Sequence, residues 1–471
     1  MDKRKIIGFA LGPLLGATLS LISVPYIAWY FRPEDIGRNN IFQTFSSFSI
    51  LLFVLGLDQA YVREYHESEN RFGLFKACFV PASVLLGLAL IATLPFASEI
   101  SKLLYGEDRP LWYFYTAGCI ILSSTSLFLS LVVRMQERGT AYSASQVLPK
   151  LVVLIIIIGY VYVGAERDFT KLLYANLVSI SLAVLIFGWN TRSDWLTAVG
   201  TKVTKEELAG VFRFGIPLIG AGIAYWGLSA TSTIALRTFS NLNELGIYTM
   251  AMNFAGAAVI FQNIFSTVWN PTVYKWVAAN EDMRKVDSVR NHVNVVVCFI
   301  FALVGTFSWL LDCILPSDYF EIKYILVCCL TQPLLYTLSE TTAIGLNIQR
   351  KSIYALWITF LSLLSNITFS VALVPKLGAK GAAIANALAY VVFYIARTEL
   401  SSKLWRRIDR REAYPMVIFM VAAGIATALF GKDLPLNPNA IWSFILLAFW
   451  FYYKEHISLM MAMVKPRKRQ R

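Results

Sequence analysis

Long apolar runs separated by short polar segments dominate this chain. They fall at residues 6–29, 41–62, 75–97, 111–133, 146–163, 171–189, 214–237, 245–269, 292–314, 324–347, 353–374, 377–397, 414–430 and 441–453. A hydrocarbon core about 30 Å thick asks for roughly 17–25 apolar residues from a spanning helix, because every backbone N–H and C=O must be satisfied inside the segment. The pattern predicts an all-α, polytopic membrane protein with about 14 transmembrane helices. The last two runs are short, and Gly431-Lys432-Asp433 with Pro435 and Pro438 make a turn after the thirteenth, so twelve is the alternative. The first run carries Pro13 and Pro25 and is too long for a signal-peptide core, so it reads as a span.

Composition agrees: 57% of the 471 residues are hydrophobic, 15% are charged, and mean hydropathy is +0.58. A net charge of +13 would suit nucleic acid if it formed one patch. Here the basic residues lie in short segments between runs and in the tail Lys465-Pro466-Arg467-Lys468-Arg469-Gln470-Arg471, so no nucleic-acid partner is expected. With the N-terminus in the cytoplasm, most Lys and Arg fall on cytoplasmic segments, as positive-inside topology requires. An even span number puts the tail inside too, where anionic membrane lipids attract it. Six cysteines in or beside apolar runs lack metal-ligand spacing, so neither a disulfide framework nor a metal site is expected.

The chain also repeats itself. Pro13-Leu14-Leu15-Gly16-Ala17 matches Pro217-Leu218-Ile219-Gly220-Ala221, Ile36-Gly37 matches Leu245-Gly246, and Ala175-Asn176 matches Ala385-Asn386, at offsets of 204, 209 and 210. Three ordered matches at equivalent topological places predict two six-helix bundles, 1–200 and 201–405, with two further helices and the basic tail in 406–471. Six spans per half make the repeat parallel, an arrangement suited to alternating access. Pro13, Pro25 and Pro217 are expected to bend their helices.

Phe214-Gly215-Ile216-Pro217-Leu218, Leu245-Gly246-Ile247-Tyr248, Asn270-Pro271-Thr272-Val273-Tyr274-Lys275 and Pro375-Lys376-Leu377-Gly378-Ala379-Lys380-Gly381-Ala382-Ala383 resemble the Wzx-type polysaccharide flippases of the multidrug/oligosaccharidyl-lipid/polysaccharide exporter superfamily. Relatives place an Asp-Arg pair ahead of the Gly-x-Tyr, where this chain has Ser232-Thr233. The resemblance implies a flippase moving an undecaprenyl-diphosphate-linked oligosaccharide, such as an O-antigen unit of lipopolysaccharide, to the outer leaflet of a bacterial inner membrane. Glycan polymerase machinery is the implied protein partner.

A diphosphate headgroup calls for cations and amides inside the bilayer. Glu340 is the clearest charge within a run, costing about 2.5–3.5 kcal/mol if it faced lipid. It reads as a protonation site or an acceptor for sugar hydroxyls, or as half of a structural pair with a neighbouring helix. Arg237, at the end of the seventh span, reads as a diphosphate ligand or a snorkelling interface residue. Gln262, Asn263, Asn270 and Asn253 on the eighth span, with Gln43 on the second, form a candidate polar lining, although amides also bind helices together. Asp58 and Arg63 close the second span as a candidate cytoplasmic gate.

No enzyme is expected: the three histidines lack triad neighbours, and no nucleotide-phosphate loop is present. No cofactor is implied, and proton or sodium coupling stays open. The alternatives are an ion-coupled exporter of small amphipathic molecules and a flippase for the peptidoglycan lipid precursor.

Overall fold

The computed structural model describes the backbone of residues 3–464 except 350, 352, 412 and 434–436, with side chains across 12–453 apart from those positions and 13. Residues 465–471, on which the expected basic anchor rests, lie outside the described residues. The described residues form helices and no strand.

The chain divides into two compact units, Met1–Ile234 and Ala235–Arg471. The first holds α1 (Lys3–Tyr30), α2 (Pro33–Val54), α3 (Leu57–Glu64), α4 (Arg71–Thr93), α5 (Ala97–Tyr105), α6 (Pro110–Met135), α7 (Gly139–Val163), α8 (Phe169–Asn190), α9 (Arg192–Gly200) and α10 (Lys205–Phe239) up to Ile234. Close packing explains why most of α10 groups with this unit, whereas the repeat expected from the sequence divides near 200. A Cβ on Gly215 of α10 would lie 2.6 Å from the Leu55 carbonyl oxygen, and one on Gly56 would lie 2.5 Å from the Gly215 carbonyl oxygen. Only paired glycines let these backbones meet. Leu55 and Gly56 have φ of 57° and 68°, the left-handed region, and they turn α3 by 57° from α2.

The second unit continues with α11 (Leu242–Ala255), α12 (Ala257–Ala278), α13 (Arg284–Phe307), α14 (Leu310–Ile314), α15 (Ile322–Ile348), α16 (Ile353–Leu404), α17 (Ala413–Phe430) and α18 (Pro438–Val464). Its axis is α15, buried on every side from Ile325 to Thr331, from Pro333 to Leu335 and from Thr337 to Leu346, with Gln332 and Tyr336 half-buried, as a largely apolar helix must be. It packs against α11, α12, α13, α16 and α17. Gly345 admits α16, since a Cβ there would lie 2.5 Å from Ser401 Oγ. Gly378 interrupts α16 at φ 53°, ψ −129°, and the Glu244 carboxylate accepts the Ala379 N–H beyond the break at 2.7 Å. The acid thereby caps the second half of α16, where helix N–H groups lack partners.

Nine helices among the described residues are long and apolar enough to cross a membrane, or eleven if two bent pairs each count as one span. All fourteen predicted runs fall on these or other helices, and the inventory is consistent with that count. Large apolar side chains such as Leu88, Leu185 and Phe444 are exposed at 59%, 70% and 73%, a surface that lipid, not water, solvates. Sharp breaks between paired helices lie at Leu55-Gly56 and at Gly256, the latter 43°. They fall in the predicted second and eighth spans, while α1 and α10 run unbroken through Pro25 and Pro217. Positive φ at Leu55 and Gly56 separates α2 from α3 more completely than an internal proline breaks α1 or α10.

Candidate functional site

The sequence Leu338-Ser339-Glu340-Thr341-Thr342 places an acid on α15 among small hydroxyl residues, and the fold turns it towards α16. Glu340 Oε1 pairs with Arg397 Nη1 at 3.0 Å, with 9% and 14% of the two side chains exposed. Arg397 also donates to Ser339 Oγ at 2.7 Å, and its guanidinium lies over the rings of Tyr336 and Phe393 at 5.2 and 5.0 Å. These contacts satisfy a charge that hydrocarbon would expel.

Two residues of α12 complete the cluster. Trp269 Nε1 donates to the Glu340 carbonyl at 3.1 Å, and Asn270 Nδ2 reaches Glu340 Oε2 at 3.5 Å. Asn270 Oδ1 is buried without a hydrogen-bond partner, an acceptor available to a bound donor. Asn270 and Glu340 are thus brought together with an arginine that closed the predicted twelfth span and drew no attention. A lone cation at the end of an apolar run was the available signal.

The other predicted amides are not gathered there. Asn263 is exposed on α12, Gln262 is half-buried beside it, and Asn253 is exposed on α11 across the Gly256 bend. That bend divides what the sequence presents as one polar stripe. Gln43 is exposed on α2. Arg237 is half-buried in the last turn of α10.

In the first unit, Asp58 and Arg63 do not pair. Asp58 Oδ2 accepts from Gln59 Nε2 at 2.7 Å, while the Arg63 guanidinium lies 4.4 Å from the Phe214 ring centroid. The contact spans α3 and α10, beside the Gly56–Gly215 approach. Ser232 and Thr233 are both buried: Thr233 donates to Asn40 Oδ1 at 2.8 Å, and Ser232 Oγ has no partner.

Lys150, a second cation inside a run, went unremarked in the sequence. It lies on α7 and donates to the Gly16 carbonyl of α1 at 3.0 Å. Gly12 N–H also donates to Ser143 Oγ at 2.8 Å, so small residues hold α1 against α7. Arg38, by contrast, is fully engaged where three helix ends meet. It pairs with Asp35 at 3.2 Å and Glu107 at 2.7 Å and donates to the Tyr105 carbonyl at 3.2 Å. Glu107 in turn holds Arg109 at 3.0 Å. Asn176 and Asn386, matched in the sequence repeat, play like parts. Each donates to an amide oxygen on another helix, Asn39 at 3.3 Å and Gln332 at 3.2 Å respectively.

Apolar spans that bury an ion pair and amides define a multi-pass helical membrane protein. In fold it is similar to the lipid II flippase MurJ in an inward closed conformation, with TM-score 0.68 and 13% identity over 96% of this chain and 100% of that one. It is also similar to an inward-facing multidrug resistance MATE family transporter of the MOP superfamily, with TM-score 0.56 and 15% identity over 82% and 95%. The chain belongs to the polysaccharide biosynthesis protein family, whose match covers residues 3–277. It is 18% identical over 396 residues, 83% of this chain and 81% of the relative, to the probable low-salt glycan biosynthesis flippase Agl15 of Haloferax volcanii.

Proposed function

We propose that this protein is a flippase for a lipid-linked oligosaccharide, carried on undecaprenyl diphosphate, from the cytoplasmic to the outer leaflet of a bacterial inner membrane. Membership of a polysaccharide biosynthesis family by a chain made of spanning helices is the observation that carries the reading. Each unpaired polar group of a sugar costs on the order of a few kcal/mol in hydrocarbon, so glycans built inside need a protein path outward. The likeness of fold to MurJ and of sequence to Agl15, both named as flippases, supports it. No bond is made or broken in such a step, so the protein acts as a transporter and not as an enzyme.

In this reading both termini face the cytoplasm and the two halves exchange access to a polar path. Glu340, Arg397 and Asn270 belong to the transport machinery of the second unit. Arg237, Gln43, Asn253, Gln262 and Asn263 supply further polar contacts, and Asp58 with Arg63 works at the cytoplasmic end. The blocks 1–200 and 201–405 are the duplicated halves, and 406–471 is the appended part. Glycan polymerase machinery receives the product.

Deletion tests the reading. Cells lacking the chain should accumulate one defined lipid-linked glycan in the cytoplasmic leaflet, restored by the wild-type gene. An unchanged glycan distribution together with new sensitivity to amphipathic cations would favour an ion-coupled exporter instead, a reading that Glu340 on a spanning helix also suits.

A further inference from the structure

A second polar site lies in the first unit, apart from the Glu340 cluster and lined by neither Asp58 nor Arg63, although Tyr61 stands on α3 between those two. The end of α3, the start of α4, the end of α6 and the start of α9 enclose a cavity of about 580 Å³. That volume is within the range of about 300–1,000 Å³ typical of small-molecule sites. Part of its wall is aromatic: Tyr61, Tyr65 and Phe75 are 2%, 7% and 6% exposed and Phe72 is exposed, while Ser68, Glu69 and Asn70 form a polar side. Polar groups converge on the same space. Gln136 Nε2 donates to Asp194 Oδ1 at 2.9 Å, leaving the amide oxygen and further carboxylate lone pairs to face the cavity. The Arg71 guanidinium lies 5.0 Å from the Tyr65 ring centroid, with no ion-pair partner among the described residues.

The tyrosine hydroxyls point to a ligand. Buried tyrosines ordinarily give their O–H a protein partner. Tyr61 and Tyr65 are more than nine-tenths buried as residues, and their hydroxyls, with no hydrogen-bond partner among the described residues, stay accessible from the cavity they line. Packing alone would place phenylalanine there, as it does at Phe75 in the same wall. Tyrosine faces for the C–H side of a ring, with hydroxyls, a carboxylate, an amide and a guanidinium for its edge, are the chemistry that recognises a pyranose.

We infer that this cavity binds a sugar residue of the glycan headgroup, selecting which glycan the protein carries. The inference rests on the flippase reading, and one set of measurements separates the two. The probe is the lipid-linked glycan extracted from the cells that make this protein, used intact in proteoliposomes for translocation and, after mild acid release from its lipid, in saturation-transfer NMR with the full-length protein. The released glycan should show ring-proton transfer with wild type. Tyr61→Phe, which deletes only an unpartnered hydroxyl, should melt with wild type yet bind about 3- to 10-fold more weakly, the worth of one hydrogen bond. Asp194→Asn should weaken binding further, and both variants should slow translocation of the intact glycolipid. Absent transfer, or transfer and translocation unchanged in both variants while wild type translocates, overturns the site and leaves the flippase standing. No translocation by wild type overturns the flippase reading itself, and the sugar site with it.

Discussion

The Gly56–Gly215 approach gives a sharp test of how the first unit holds its bend. Alanine at Gly56 must keep φ at +68°, which costs an L-residue about 1–2 kcal/mol. Its Cβ would also stand 2.5 Å from the Gly215 carbonyl oxygen, a backbone atom with no rotamer to retreat into. Such overpacking costs about 1–3 kcal/mol, so the two effects together reach about 2–5 kcal/mol. Gly215→Ala keeps a helical φ and meets only the clash, 2.6 Å from the Leu55 oxygen, for about 1–3 kcal/mol. Gly220→Ala, on the same helix with nothing within 4 Å of its Cβ, should be neutral or slightly stabilising. The assay is thermal denaturation of detergent-purified protein, read as the surviving monodisperse fraction. The expected order of melting is Gly220→Ala at or above wild type, then Gly215→Ala, then Gly56→Ala. Because the two glycines touch, the double variant should lose less than the sum. Gly56→Ala melting with wild type would refute the argument.

Further expectations follow from the second unit. Glu340→Ala or Arg397→Ala alone leaves a buried charge unpaired and should cost about 3–5 kcal/mol, whereas Glu340→Leu with Arg397→Leu should cost less than either in the same melts. Glu244→Gln weakens the carboxylate cap on Ala379 by about 0.3–1 kcal/mol, read as faster amide exchange at residues 379–382. Gly305→Ala would put a Cβ 2.3 Å from the ring of buried Trp442, so melting should fall and tryptophan emission shift as the indole is displaced.

What the sequence made legible follows from the length scale of each signal. A membrane span is written over some twenty residues, so the apolar runs coincide with helices even where the chain bends, as at α2 and α3 or through Gly378. The bends themselves are set by single residues. Pro217 is conspicuous in sequence yet lies inside an unbroken helix, whereas Leu55, which holds a left-handed φ, carries no local mark of it. Site residues show the same limit. Glu340 stood out because an acid inside an apolar run is costly, but its partner Arg397 is 57 residues away on another helix, and periodicity cannot pair them. Asn253 and Asn263 share a run in sequence, yet the bend at Gly256 sends them along different axes. Pairing across helices, and with it the tyrosine-lined cavity, becomes visible only when packing brings distant segments together.

Translocation by the purified protein alone is the most direct test of the central claim. Full-length protein reconstituted into vesicles loaded with the extracted lipid-linked glycan should make the inner-leaflet pool accessible to a membrane-impermeant glycosidase added outside, and Arg397→Ala should abolish that access. A pool that stays protected in wild-type vesicles, at the level of protein-free ones, would contradict the account.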